Sequence, residues 1–160
     1  MGPLITAAHR EKVRGWLSVG EREGARRVTG GEIPDDPALA KGSFLTPAVL
    51  ADVDNDMQVA REEIFGPVVS VIPFRDEDEA VQLANASRYG LSGSLFTRDL
   101  GRAMRVVRAI ETGVLSVNSN RSVFLEAPFG GVKESGLGRE LSLAALEHYT
   151  ETKSVFFSEE

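Results

Sequence analysis

Between residues 68 and 118 the chain repeats a rhythm that few folds accommodate. Val68–Phe74 (VVSVIPF) is apolar and β-branched, a strand. Asp76 then opens a helix, with Glu79 three residues on, the spacing of a capping box. Ala80, Leu83 and Ala84 form the face that helix would bury. Ser92–Thr97 reads as a second strand. Asp99 caps a second helix, in which Leu100, Ala103, Met104, Val107 and Ile110 keep the 3.6-residue period, and Gly113 reads as its stop. Val114–Asn118 is a third strand. Strand, helix, strand, helix, strand at this spacing predicts two βαβ units and an α/β fold built on a short parallel sheet of about three strands. Right-handed crossovers would put both helices on one face.

The flanks are less regular. Thr6 is a candidate N-cap for a helix whose Val13, Trp16 and Leu17 make one apolar stripe, and Gly24 is its candidate stop. Arg26–Thr29 reads as a short strand closed by Gly30-Gly31. Residues 32–42 (EIPDDPALAKG) are a polar turn. Phe44–Leu50 reads as a strand interrupted by Pro47, hence an edge or bulged one. Residues 52–61 look irregular or weakly helical. After Asn118 the periodicity is lost until a short helix near Leu141–His148. A structureless loop of about 15 residues or more is usually functional or disordered. Thr150–Phe157 (TETKSVFF) alternates and reads as a strand with no following element, the kind that pairs with something else.

Composition removes whole classes of function. The chain has 160 residues, 18 Lys+Arg against 24 Asp+Glu, and a net charge of -6, which argues against broad nucleic-acid binding. No apolar run has the length of a membrane span, and His9, Arg10, Glu11 and Lys12 interrupt any leader-like start, so the expected location is cytoplasmic. Met1-Gly2-x-x-x-Thr6 fits an acylation pattern, but Pro3 stiffens the backbone where an enzyme must grip it. The chain contains no cysteine, hence no disulfide and no thiol nucleophile. With His9 and His148 as the only histidines, a three-histidine zinc site is excluded and no metal site is expected. Ser116 and Ser135 have no histidine nearby in sequence to activate them, so no catalytic residue is assigned.

Some residues keep two readings. Gly136-Leu-Gly138-Arg-Glu-Leu141 begins like a dinucleotide fingerprint but lacks its last glycine and its preceding strand, so its glycines read as turn formers. Glu62 and Glu63 sit ahead of a strand, where a carboxylate accepts ribose hydroxyls or simply faces water. His9 and Lys12, three apart on one helix face, hold a ligand's polar groups or face solvent. His148 sits near a helix end, where a cation is favoured.

Three segments together say more than any one. They are Glu62-Glu63-Ile64-Phe65-Gly66-Pro67, Tyr89-Gly90-Leu91-Ser92, and the thirteen-residue run from Pro128 to Glu140 (PFGGVKESGLGRE). In order and spacing they resemble the NAD(P)-dependent aldehyde dehydrogenase superfamily, over essentially the whole chain but only the C-terminal third of a full-length enzyme. The resemblance implies that residues 1–149 are part of a catalytic domain and 150–160 an oligomerisation strand. It implies NAD or NADP as cofactor, with Glu63 and Phe65 at the nicotinamide-side ribose and His9 and Lys12 on a helix that touches it. It places Phe129 in the aldehyde channel, and Arg121 and Val123 in a loop that shapes substrate choice. Asn118 matches a position read as structural. Arg121 hints at an anionic or polar substrate end, because guanidinium pairs well with carboxylate, while a solvated loop arginine is the plainer reading.

The family oxidises an aldehyde to a carboxylic acid by thiolate attack, hydride transfer and thioester hydrolysis. The catalytic Cys, the general-base Glu, the oxyanion-stabilising Asn and the cofactor-binding domain all fall outside the matched third. Two functions follow as expectations. The chain is a segment of such an enzyme, a truncation or one piece of a split enzyme, inactive alone. Alternatively it is a non-catalytic interaction module that joins dehydrogenase-like subunits through its last strand. In either case its core is incomplete, with apolar surface exposed and self-association expected. Neither reading names the aldehyde or chooses between NAD and NADP.

Overall fold

The computed structural model describes residues 1–159. They form two compact units, Met1–Arg75 and the residues from Asp76 onward.

In the first unit α1 spans Ala7–Glu23. Thr6 is extended, and its Oγ1 accepts the His9 N–H at 3.0 Å, which satisfies one of the donors a helix start leaves open. Gly24 ends the helix at φ 108°, donating to the Glu21 carbonyl at 3.2 Å. A three-stranded sheet follows, ordered β1 (Arg26–Thr29), β2 (Ala48–Ala51), β3 (Val68–Ser70). β2 runs antiparallel to β1 and parallel to β3. The strand after Pro47 is therefore central, not an edge. Pro47 is tolerated because it lies just before the ladder, which opens with Ala48 N–H donating to Pro67 C=O at 2.8 Å. Gly30, at φ +72°, lets the chain return here, since a Cβ would sit 1.7 Å from the Pro47 oxygen. A single turn, α2 (Gln58–Arg61), is pinned to the end of α1 by the Glu23 carboxylate, which accepts the Gln58 backbone N–H at 2.9 Å and its side-chain amide at 2.8 Å.

Val13, Leu17, Leu45, Ala48, Leu50, Val53, Val59 and Ile64 close one apolar cluster in this unit. Each large side chain fully buried there contributes about 1.5–3 kcal/mol. Gly20 lets α1 lie close on it, since a Cβ would be 3.0 Å from both Leu50 and Val59.

The second unit holds α3 (Glu77–Asn85), β4 (Tyr89–Gly90), β5 (Ser92–Leu95), α4 (Leu100–Ala109), β6 (Val114–Val117), β7 (Val132–Lys133) and a 3₁₀ turn over Leu143–Tyr149. Asp76 and Asp99 cap α3 and α4 as expected, accepting the N–H of Glu79 and of Arg102 at 2.9 Å each. β5, α4 and β6 form one parallel βαβ unit. β4 pairs antiparallel with β7.

The single parallel sheet expected from periodicity is not what forms: β3 belongs with β1 and β2, and β5 with β6. Periodicity reveals that a strand exists but not which neighbour takes its hydrogen bonds. Gly113 is not the stop of α4 either. Asn85 finishes that helix, its amide donating to Ala109 C=O at 2.8 Å and accepting the Glu111 N–H at 2.9 Å. Gly113 serves close approach, since a Cβ there would lie 1.7 Å from the Gly130 oxygen. The helix faces expected to be buried are largely open. On α3, Ala80 and Leu83 are half-buried and Ala84 is exposed; on α4 Ala103 is buried while Leu100 is 77% exposed. Residues 150–157 join no ladder, and Phe156 and Phe157 are 93% and 90% exposed. A strand needs a neighbour for its hydrogen bonds, and this chain supplies none there among the described residues.

Candidate functional site

The turn from α2 into β3 is built around one buried side chain. Glu62 N–H donates to Gln58 C=O at 2.9 Å and ends α2. Ile64 then enters the core. Its neighbours Glu63 and Phe65 are left facing out, Phe65 with its backbone at φ 55° and 74% exposed. A left-handed backbone on a bulky residue is rare, and such outliers gather at functional sites. Gly66 brings the turn down on α1, since a Cβ would be 2.6 Å from a Val13 methyl.

An open pocket of about 400 Å³ lies here, lined by Glu62, Glu63, Phe65, Val59 and Ile72 among others. The Glu63 carboxylate makes no hydrogen bond or ion pair among the described residues. It keeps all its acceptor capacity for a ligand beside an exposed aromatic face. Such a set suits a sugar diol. The structure thus brings Glu63 and Phe65 to one pocket. His9, half-buried on α1 a turn before Val13, and Lys12, exposed, do not line it. Val59 and Ile72 were not singled out from the sequence, although the in-and-out alternation around Ile64 was the signal for a pocket wall.

In the second unit the long glycine-rich run is an ordered clamp. The Lys133 ammonium donates to the carbonyls of Asn85 at 2.7 Å and Ser87 at 3.1 Å and pairs with Glu111 at 2.8 Å. Ser135 Oγ accepts the Gly90 N–H at 3.0 Å, and the Arg139 guanidinium donates to Gly131 C=O at 2.8 Å. His148 uses Nε2 to accept the Arg139 N–H at 3.1 Å. Phe129 and Glu140 exchange backbone hydrogen bonds at 2.8 and 2.7 Å, leaving the Phe129 ring half-buried. The most distinctive motif in the sequence therefore holds backbone in place.

Asn118 ends β6 at φ 55°, and its amide both accepts from Thr97 N–H and donates to Thr97 C=O at 2.9 Å, the structural role read for it. The loop after it carries Arg121 and Val123, both exposed. Arg121 is fixed through its backbone: its N–H donates to Ser119 Oγ at 3.0 Å, and its carbonyl accepts from Ser116 Oγ at 2.7 Å. Its guanidinium stands over the Phe124 ring, 4.8 Å from the centroid. No cluster able to hold a metal occurs among the described residues.

Comparison with known proteins decides the family. Residues 1–155 match the model of the aldehyde dehydrogenase family. The chain belongs to that family. A betaine aldehyde dehydrogenase of Rhizobium leguminosarum bv. trifolii is 53% identical over 98% of this chain, and one of Agrobacterium fabrum is 51% identical over 99%. In each case the matched stretch is 32% of the relative. The chain thus spans about a third of the length of the curated relatives it matches. The crystal structure of a betaine aldehyde dehydrogenase from Staphylococcus aureus in complex with NAD+ superposes with a TM-score of 0.90 and 44% identity, over 93% of this chain and 30% of that one. The mixed α/β arrangement, with its small sheets and flanking helices, is that of the corresponding part of an aldehyde dehydrogenase.

Proposed function

We propose that these 160 residues are the C-terminal part of the catalytic domain of an NAD(P)-dependent aldehyde dehydrogenase, which oxidises an aldehyde to a carboxylic acid. The observation that carries this is the unpartnered Glu63 carboxylate beside exposed Phe65 on one open pocket. A pure scaffold gains nothing from keeping either side chain there. When bound, the nicotinamide cofactor supplies a hydride acceptor. Glu63 accepts hydrogen bonds from its ribose hydroxyls and Phe65 gives the sugar an apolar wall; His9 and Lys12, which lie on α1 outside this pocket, keep only the role that the family resemblance gave them. Phe129, Val123 and Arg121 border the aldehyde. The thiolate that attacks the carbonyl must come from residues outside these 160, which hold no cysteine. Betaine aldehyde, for which the relatives are named, is the reference substrate for an assay. The last strand, 150–160, would add to the sheet of a partner subunit, and the assembled enzyme would work in the cytoplasm.

A second reading has the chain as an interaction module, and the exposed Phe156 and Phe157 favour it. One experiment separates the two. The purified chain, and a chimera joining it to the first two-thirds of the Rhizobium leguminosarum relative, are assayed for aldehyde-dependent NADH or NADPH formation. The proposal expects turnover from the chimera and none from the chain alone. A folded, oligomeric chimera without turnover would leave the module reading standing.

A further inference from the structure

Resting on the placement of the 119–127 loop beside the aldehyde, we propose that Arg121 makes this chain select aldehydes carrying an anionic group and reject cationic ones. The relatives are named for a cationic aldehyde, betaine aldehyde. A quaternary ammonium group is recognised by open aromatic faces. Here one face of Phe124 is covered by the Arg121 guanidinium, 4.8 Å from the ring centroid. That guanidinium forms no ion pair among the described residues. The nearest acid along the loop, Glu126, is exposed and does not pair with it.

Among the described residues the loop thus presents a permanently charged fork with no acidic partner, its central carbon over the Phe124 ring and its backbone anchored by Ser116 and Ser119. The guanidinium makes no hydrogen bond among the described residues, so its N–H groups remain to meet a carboxylate in bidentate fashion. Exposed Val123 and Leu125 give the hydrocarbon between aldehyde and carboxylate something to lie on. A like charge about 6 Å from the guanidinium lowers occupancy about threefold with water between them, and about a hundredfold at an effective dielectric near 20. An opposite charge gains by the same factors. The selectivity between the two substrate classes is therefore the square of a modest effect.

The test uses two enzymes. One is the chimera above. The other is the intact Rhizobium leguminosarum relative with its corresponding loop replaced by residues 119–127 of this chain. Each is assayed with betaine aldehyde, with succinic semialdehyde and with a neutral aldehyde, as itself and as Arg121→Gln. The expected result is a kcat/KM ratio, succinic semialdehyde over betaine aldehyde, at least about tenfold above that of the unmodified relative, falling back about tenfold in Arg121→Gln. A chimera inactive on all three aldehydes would defeat the functional reading, and the loop graft would still decide the charge preference. A ratio that does not move with Arg121→Gln in the active graft overturns the proposal.

Discussion

Among the described residues, nine of the ten buried apolar side chains lie in residues 1–75, and the rest contribute only Ala103. Yet each region has two α-helices, and the second has four strands against three in the first. The difference lies in what each element is packed against. In the first region α1 and the sheet bury each other, with Val13, Leu17 and Leu50 at 0–2% exposure. In the second, α4 has an amphipathic face whose Leu100, Met104 and Val107 remain open to water. The exposed area is correspondingly large, 11615 Å² for 17.3 kDa. A compact monomer of this mass exposes about 7,800 Å², and even two separate domains of half the mass would expose about 9,400 Å². Local pattern is enough to form helices and strands; a core needs a second layer.

Substitutions in the two regions probe this asymmetry. The largest effect is expected from Leu50→Ala, which should cost about 2–5 kcal/mol in denaturant unfolding of the isolated chain. Leu100→Ala on α4 should stay within about 0.5 kcal/mol in the same measurement. Equal losses would break the comparison. Next is Asn118→Ala, which removes both bonds to Thr97 and should cost about 1–3 kcal/mol; Asn118→Asp, keeping an acceptor for the Thr97 N–H, should recover part of it. Lys133→Met should cost a similar or smaller amount, read as faster amide exchange in β4 and β7, since Lys133 holds the Asn85 and Ser87 carbonyls beside them.

The smallest effect concerns acid. The hydrogen bond from Arg105 holds the Glu77 carboxyl below its usual 4.5, with Arg102 adding to it, against a weaker push from burial. A carboxyl lowered in the folded state stabilises above its unfolded value, and that contribution is lost as pH falls through the folded one. The α3–α4 pairing should therefore loosen below about pH 4.5, and Glu77→Gln should flatten this dependence in a circular-dichroism titration. An unchanged acid limb would remove the ion pairs from the account.

The sequence made some parts of this legible and hid others for identifiable reasons. Caps are local, so Thr6, Asp76 and Asp99 were readable from side chain and spacing alone. Sheet membership is not local, so periodicity cannot reveal that β3 pairs with β2 rather than with β5 or β6. Ala84 and Leu100 lie on apolar stripes yet are exposed, because a stripe shows only that a helix can be covered. At the pocket, the Glu-Ile-Phe-Gly run was visible, but the left-handed backbone that turns Phe65 outward was not. The run that carries Lys133, Ser135 and Arg139 is legible as a motif, while its purpose emerges only from the groups they reach, more than forty residues away for Lys133 and Ser135 and eight for Arg139.

Under the proposed function, residues from Asp76 onward are one surface of a larger enzyme. Native-state amide exchange of the isolated chain and of the chimera tests it most directly. In the isolated chain, α1 and β2 should exchange slowly and α4 fast; in the chimera, α4 should become as protected as α1. An α4 already protected in the isolated chain, or unprotected in both, would contradict it.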